Sequence, residues 1–431
     1  MPSQHSPNTT PQKNKQKNNV LHKLSRAVSI ASSDRVSGLI MLAFAIVGFA
    51  IANFHGTFEG FEALKNTVLT IPFLDLHLSV DAWVQDGMLT IFFLAVGLEL
   101  KQEITHGSLS DIKAAAVPIF AAMGGMAIPA LLFTGTIMAW PFLSGSDTIM
   151  ADGKAFSIGE VAQGWAVPTA TDIAFSLTVL AIFARTLPTA LRAFLLTLAT
   201  VDDLLGIVII AIFYSDLNDI WWVLGIVGAA AVWAWSVRRK EVPWLLAIVA
   251  FLALWYSMHE LGIHPTLSGV IAGLLTPAGE LFDEEESRVE RYNNKISPYS
   301  SLLALPIFAL FATGVHFDKL SFELFTSPVV LGIILALVIG KPLGILGSTW
   351  IATHLSSFTL ADDLRVRDIV PISLACGIGF TVAFLIASLA YDQPQLSNEA
   401  RFGVLIASLV SAILAALALT YQSRRFDSDK K

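Results

Sequence analysis

The chain has 431 residues, of which 55% are apolar and 14% charged, with a mean hydropathy of +0.67 and a formal net charge of −7. About a quarter of the residues of a soluble globular domain are charged, so the composition excludes that class and indicates a membrane protein with several spans. The negative net charge argues against nucleic acid as a partner.

The first predicted element, residues 1–35, is a flexible cytoplasmic tail rich in Asn, Gln, Ser and Lys. The tail precedes an apolar stretch rather than containing one, so it does not fit a signal peptide. Residues 36–421 are predicted to form the membrane domain, and residues 422–431 a second cytoplasmic tail.

Twelve apolar segments follow one another through the membrane domain. Each has about 20 residues, the length that a hydrocarbon core about 30 Å thick requires of a spanning helix. The predicted fold is therefore an all-α polytopic membrane protein with twelve transmembrane helices. The segments are centred near Phe44, Phe92, Gly125, Phe175, Gly206, Ala229, Leu252, Gly269, Phe308, Leu337, Phe380 and Leu409.

The basic residues predict the orientation of these segments. If the segments alternate in direction, 22 of the 27 Lys and Arg residues fall on the side of the amino terminus. Basic residues concentrate in cytoplasmic loops of membrane proteins, so both termini are expected in the cytoplasm. Lys65, Lys154, Lys319 and Arg401 fall on the outer side, and Lys341 lies within a segment.

Four charged residues lie deep in the predicted spans: Asp172, Asp202, Asp203 and Lys341. A charge at the bilayer centre costs roughly 2.5 to 3.5 kcal/mol, so these residues predict a site that binds a cation, a proton, or each in turn. Asp202 and Asp203 point about 100° apart on a helix, so one can line an ion path while the other meets Lys341. The alternative is a buried ion pair that fixes helix register.

Two of the spans are predicted to be discontinuous helices. Residues 167–172 (VPTATD) place a proline and two threonines where a helix would run, and residues 376–381 (CGIGFT) place two glycines at similar depth. Each segment is the second in a group of three spans, and the two groups run in opposite directions. This arrangement predicts inverted-topology repeats, as in secondary transporters, although simple kinks remain an alternative.

The few residues suited to redox or metal chemistry do not form a recognisable pattern. The only cysteine, Cys376, lies in an apolar segment, which excludes an intramolecular disulfide and a cysteine metal site. His259 and His264 are interpreted as packing or loop residues, because no third ligand has suitable spacing. We therefore expect neither an enzyme nor a resident cofactor.

Seven motifs, in order along residues 34–421, resemble the NhaA family of bacterial sodium/proton antiporters. The resemblance implies inverted three-helix repeats and electrogenic exchange of cytoplasmic Na+ or Li+ for external protons by alternating access. It also implies pH regulation, a role in sodium and pH homeostasis, and location in the bacterial inner membrane; a homodimer is expected as well. The motifs are GLELKQE from Gly97, PTATDIAFSL from Pro168, TVDDLLGIVIIAIFY from Thr200, GIHPTLSGVIAGLLTP from Gly262, LPIFALFATGV from Leu305, GKPLGI from Gly340 and GIGFTVAFLIASLAY from Gly377.

The same resemblance implies roles for individual residues. Asp203 is expected to be the principal ligand of the transported Na+, with Asp202 and Thr171 as further ion ligands and Asp202 as the partner of Lys341. Asp172 and Lys341 are expected to balance the charges of exposed helix ends.

A pH-regulating region is implied at Glu99, Glu103 and Glu290. Here the chain departs from the family, because Gln102 stands where an arginine is typical and the sequence RVERYNNKISP lacks the usual histidines. These departures concern the pH set point, whereas the pair Asp202–Asp203 is intact.

Three other functions are compatible with a membrane protein that carries buried acids. A proton- or sodium-coupled carrier of another solute needs a wider cavity with more polar side chains. A cation channel predicts conduction without obligatory exchange. An intramembrane aspartyl protease needs two facing carboxylates, whereas adjacent aspartates on one helix turn away from each other.

Overall fold

A computed structural model describes residues 34–54, 56–151, 153–184, 188–282, 284–316, 322–355, 358–360 and 364–429. The predicted amino-terminal tail lies outside these residues up to position 33, and Asp34 begins the first helix. The last helix, Pro394–Asp429, continues well past residue 421 into the segment predicted as the second tail.

Helices make up most of the described chain, as the long apolar runs predict. The 3₁₀ segments are Pro72–Leu74, Ser108–Ser110, Gln163–Thr169 and Val366–Ile369, and the π segments are Trp83–Met88, Ser300–Ala304 and Ala336–Gly340. The α-helices are Asp34–Asn53, Phe58–Lys65, Val80–Ala82, Leu89–Thr105, Ile112–Ser144, Ile158–Ala162, Ile173–Phe183, Thr189–Phe213, Trp222–Ser236, Trp244–Leu261, Leu267–Leu275, Arg288–Tyr299, Leu305–Ala312, Phe322–Thr326, Pro328–Leu335, Lys341–Leu355, Val370–Ala375, Phe380–Ala390 and Pro394–Asp429.

Eight helical stretches of the described chain are long and apolar enough to cross a membrane, and two bent helix pairs raise the number to ten. The remaining two predicted segments form the shorter helices Trp222–Ser236 and Leu267–Leu275. All twelve predicted centres fall in helical backbone. The chain is thus a mostly helical, multi-pass membrane protein, while twelve spans and inverted repeats stay predictions.

Two β-hairpins interrupt the helical pattern, and the sequence analysis did not predict them. Strands β1 (Val68–Ile71) and β2 (Leu76–Ser79) pair antiparallel, as do β3 (Thr148–Ala151) and β4 (Lys154–Ser157). In β3 the side chains alternate between exposed and buried, the period of a half-buried strand. Because two long helices separate the hairpins along the chain, we assign both to one end of the bundle, called here the hairpin end.

The two bent helix pairs occupy the middle of the fold. The first broken helix consists of Ile158–Thr169 and Ile173–Phe183, bent by 45°, and the second of Val366–Ala375 and Phe380–Ala390, bent by 59°. Every residue from 380 to 387 is buried. The predicted discontinuities are therefore present at both positions, and the second one adjoins a fully buried stretch.

The helix Lys341–Leu355, called here the lysine helix, packs closely on the long helix Ile112–Ser144. A Cβ atom at Gly344 would lie only 2.1 Å from the Gly124 carbonyl oxygen. Glycine therefore allows the two backbones to touch, which holds Lys341 at the beginning of its helix in the bundle interior.

Candidate functional site

The break in the first helix follows Pro168. Proline has no N–H to donate and clashes with the preceding turn, so regular hydrogen bonding ends there. The 3₁₀ segment ends at Thr169, Ala170 is extended (φ −77°, ψ 149°), and an α-helix resumes at Ile173. Backbone N–H and C=O groups between Thr169 and Ile173 consequently lack the usual partners within a helix.

The two breaks hydrogen-bond to each other. The Asp172 N–H donates to the Ile378 carbonyl at 2.7 Å, and the Thr171 hydroxyl donates to the Cys376 carbonyl at 3.0 Å. These contacts join positions about 200 residues apart in sequence. The segments that the sequence marked by proline and glycine therefore meet at one crossing.

The Asp172 carboxylate lies between the amino termini of two half-helices. Its Oδ1 accepts from the Phe175 N–H at 2.9 Å, and its Oδ2 accepts from the N–H and hydroxyl of Thr381 at 3.1 and 2.7 Å. Asp172 is 2% exposed. An amino terminus of a helix carries about half a positive charge, so one carboxylate faces two such ends.

Lys341 lies on the opposite side of the first break and is completely buried. Its Nζ donates to the Thr169 carbonyl, where the 3₁₀ segment ends, and to Asp202 Oδ2 at 2.8 Å. The ammonium group thus contacts a helix carboxyl terminus and one member of the aspartate pair. The interaction expected between Lys341 and Asp202 is a direct ion pair in the structure.

Asp202 and Asp203 lie in the middle of Thr189–Phe213, called here the aspartate helix. Asp202 Oδ1 is buried and, among the described residues, has no hydrogen-bond partner. Asp203 is partly exposed, and its carboxylate forms no hydrogen bond within the described part of the chain. Unsatisfied acceptors at this depth are what a proton or a small cation would satisfy.

The charges around Asp203 favour a cation. Asp202, Glu99, Asp172 and Lys341 all lie within electrostatic reach of its carboxylate. The three aspartates and Lys341 would give an excess of negative charge if all were ionised. Carboxylate, hydroxyl and carbonyl oxygens are hard ligands, of the kind that alkali and alkaline-earth cations prefer over soft metals.

The expected pH-regulating residues are divided between two places. Glu99 is exposed on Leu89–Thr105 near Asp203. Glu103, on the same helix, accepts from the Ser108 N–H and hydroxyl at 2.9 Å. Glu290 is exposed in the first turn of Arg288–Tyr299, where its N–H donates to the Ser287 hydroxyl.

An ion-pair network beside Glu290 was missed in the sequence analysis. Arg288 is 1% exposed and donates at 2.6 Å to the carbonyls of Val237 and Arg239. It also forms an ion pair with Glu284 at 2.8 Å. The hydrogen bond from the Arg288 side chain lowers the pKa of Glu284 below its usual 4.5, with Arg291 contributing in the same direction. Arg288 stands in a polar stretch (ESRVERYNNK), where an arginine is ordinarily exposed, so no local pattern indicates its burial.

Comparison with known proteins agrees with the motifs. The family model described as Na+/H+ antiporter 1 matches residues 28–419. A Bifidobacterium adolescentis protein named Na(+)/H(+) antiporter NhaA is 55% identical over 398 residues, covering 92% of this chain and 88% of that protein. A Bifidobacterium longum protein of the same name is 54% identical over 402 residues, covering 92% and 85%. The Streptomyces coelicolor Na(+)/H(+) antiporter NhaA 3 is 39% identical over 397 residues, covering 91% and 80%.

Proposed function

The chain belongs to the NhaA family of Na+/H+ antiporters, and from this membership and the site geometry we propose an electrogenic exchange of cytoplasmic Na+ or Li+ for external protons. The observation that carries the proposal is the pair of neighbouring carboxylates with unsatisfied oxygens beside one buried ammonium group. In this proposal the protein has twelve spans with inverted repeats, cytoplasmic termini and an inner-membrane location, and it forms a homodimer.

Asp203 is proposed as the principal cation ligand. Its carboxylate is partly exposed and has no hydrogen bond among the described residues, so it can accept an ion without losing a partner. Asp202 Oδ1 supplies a second oxygen from the preceding residue. Thr171 donates its hydroxyl hydrogen to the Cys376 carbonyl, which leaves the lone pairs of its oxygen available.

Asp172 and Lys341 are proposed to compensate the charges of the broken helices. The Asp172 carboxylate accepts hydrogen bonds at the amino termini of two half-helices, and Lys341 donates to the carbonyl at the end of a 3₁₀ segment. Each places a full charge beside the opposite partial charge of a helix end. Without them, both breaks would leave unbalanced dipoles in a low-dielectric interior.

Competition between protons and the cation provides the coupling. A carboxylate that holds a proton loses most of its attraction for Na+, so the site carries one or the other as it alternates between the two sides. If Asp202 is protonated, its ion pair with Lys341 is broken and more than one proton can accompany each return step. A net charge crossing the membrane makes exchange voltage-dependent, by about 2.3 kcal/mol per charge for each 100 mV.

Regulation by pH is proposed for the end of Leu89–Thr105. Glu99 is exposed and interacts electrostatically with Asp203, so its protonation changes the charge that a cation meets on approaching the site. Glu103 acts at the next turn, and Glu290 on a separate helix.

Asp203→Asn tests the proposal in everted membrane vesicles. We expect this variant to abolish Na+- and Li+-dependent proton movement, measured by dequenching of a pH-sensitive dye, because the amide cannot exchange a proton for a cation. Asp216→Asn is the matched control, since Asp216 is an exposed carboxylate just beyond the end of the same helix. Exchange retained in Asp203→Asn would overturn the assignment, and Na+ flux without proton flux in the parent would indicate a channel.

A further inference from the structure

Two tyrosine hydroxyls hold the half of the first broken helix that lies towards the hairpin end. Tyr391 donates to the Val161 carbonyl at 2.7 Å, and Tyr214 donates to the Gln163 carbonyl at 3.0 Å. The half-helix Ile158–Thr169, called here the outer half-helix, thus receives two side-chain donors within three residues. Neither tyrosine belongs to the proposed ion site.

The two tyrosines come from the elements that build the site. Tyr214 directly follows the aspartate helix, and Tyr391 directly follows the second broken helix. At the hairpin end, the outer half-helix is therefore hydrogen-bonded to residues that follow the aspartate helix and the second broken helix. A movement of the outer half-helix relative to these elements must break both bonds.

The contact with Tyr391 is close and built for a small residue. A Cβ atom at Gly164 would lie 2.0 Å from the Tyr391 hydroxyl oxygen and 2.5 Å from the ring carbon that bears it. Tyr391 is 5% exposed. Next to this contact, Trp165 packs edge-on against Phe213, with ring centroids 5.1 Å apart. The Gly164 backbone, the Tyr391 ring and the Trp165–Phe213 pair thus lie side by side along the outer half-helix.

Exposure differs between the outer half-helix and the ion site. Ala166, Val167 and Thr169 of the outer half-helix are each 0% exposed. Asp203 is nevertheless partly exposed, and Glu99, which interacts with it, is exposed six residues before the other end of its helix. The buried part of the outer half-helix, which the tyrosines hold, therefore lies between the second hairpin and the crossing of the two breaks.

The backbone of the outer half-helix is suited to movement. The last seven residues of this half-helix, Gln163–Thr169, form a 3₁₀ segment. 3₁₀ runs longer than three or four residues are uncommon, and a 3₁₀ stretch within a helix often marks a hinge. The segment continues into the extended residue Ala170. A stretch with weak internal hydrogen bonds depends on external partners to fix its position.

We propose that Tyr391 and Tyr214 form a latch that closes the outer side of the ion site, and that the latch opens when the site faces outwards. This inference rests on the proposed antiport, which requires the site to face each side in turn. The latch residues are positioning residues: they set the balance between the two states and do not touch the ion.

The test uses a reporter cysteine behind the latch. In a Cys376→Ser background, which keeps the Cys376 backbone carbonyl, Ala166→Cys places a thiol at a fully buried position beside the Tyr214 hydroxyl. A membrane-impermeant maleimide is applied from outside to intact cells, and the alkylation rate is measured. Tyr391→Phe and Tyr214→Phe remove the hydroxyl and keep the ring, singly and together.

We expect each Phe variant to raise the rate of outside alkylation by about fivefold, the effect on a two-state balance of losing one hydrogen bond of ordinary strength. The double variant should exceed either single one. Tyr256→Phe is the matched control, because the Tyr256 hydroxyl also donates to a backbone carbonyl, that of Leu74, at 2.9 Å, but does not touch the outer half-helix. Its alkylation rate should equal that of the parent.

Two results overturn the latch: equal rates in the parent and all Phe variants, or an equal rise in Tyr256→Phe, which would indicate general loosening. These results test the latch separately from the proposed function if the parent moves protons with Na+. A parent that moves no protons with Na+ overturns the proposed function and, with it, this inference. Intact exchange with unchanged alkylation overturns this inference alone.

Discussion

The ion pair between Lys341 and Asp202 gives the sharpest test of the site energetics. Lys341→Met keeps the length of the side chain and removes its charge. Among the described residues, Asp202 Oδ2 then loses its only partner and Oδ1 already has none, so the whole carboxylate is left without a hydrogen bond. Removing one member of a buried pair costs about 3 to 5 kcal/mol of unfolding free energy.

Removing the charge of Asp202 instead should cost less unfolding free energy than removing that of Lys341. In Asp202→Asn the ammonium group of Lys341 keeps its hydrogen bond to the Thr169 carbonyl, at the negative end of a 3₁₀ segment. The double variant removes both charges, so it should lose less stability than the two single losses added together. We expect a coupling energy of on the order of 3 kcal/mol in this cycle, the upper part of the range for contacting residues.

The assay is denaturant unfolding of the purified protein in detergent, followed by tryptophan fluorescence. Additive losses would refute the reasoning, because they would mean that the two charges stabilise the fold independently.

Two further predictions concern hydrogen bonds to carboxylates. Thr381→Val removes a hydroxyl donor 2.7 Å from the Asp172 carboxylate and should lower the unfolding free energy by about 1.5 to 3 kcal/mol. The control Thr349→Val loses only a hydrogen bond to a backbone carbonyl and should lower it by about 0.5 to 1.5 kcal/mol. Equal losses in denaturant unfolding would contradict this prediction. Because Arg288 lowers the pKa of Glu284, ionised Glu284 stabilises the fold above pH 4.5, and this contribution is lost as pH falls through the lowered pKa. Glu284→Gln should lose that part of the pH dependence in thermal unfolding, and an unchanged pH profile would contradict the ion pair.

The charged centre of the fold could be predicted because its signals are local. A charge within an apolar segment is visible without knowing any contact, which identified Asp172, Asp202, Asp203 and Lys341. The breaks were visible for the same reason, since proline and glycine disturb a helix wherever they occur. Which oxygen contacts which donor depends on the packing of segments about 200 residues apart, and no local pattern contains that information.

The hairpins and the tyrosines show where sequence reasoning stopped. Short strands between long apolar helices give too few residues for an alternating pattern to stand out, as in Thr148–Ala151. A tyrosine at the end of a spanning helix is ordinarily interpreted as an interfacial anchor, which conceals the role proposed for Tyr214 and Tyr391. Their significance depends on Gly164, whose close contact with the Tyr391 ring appears only in three dimensions.

Lys341 connects the charge of the site to the position of the outer half-helix. Within the described part of the chain its ammonium group has two acceptors, the Asp202 carboxylate and the Thr169 carbonyl, and the second is the last carbonyl of that half-helix. Neutralising Asp202 weakens one contact and leaves the Thr169 carbonyl as the stronger acceptor, so the ammonium group shifts towards that carbonyl. This shift acts on the segment whose other end is held by Tyr391 at Val161. One side chain can therefore bias the latch according to the proton load, which is the coupling that alternating access requires.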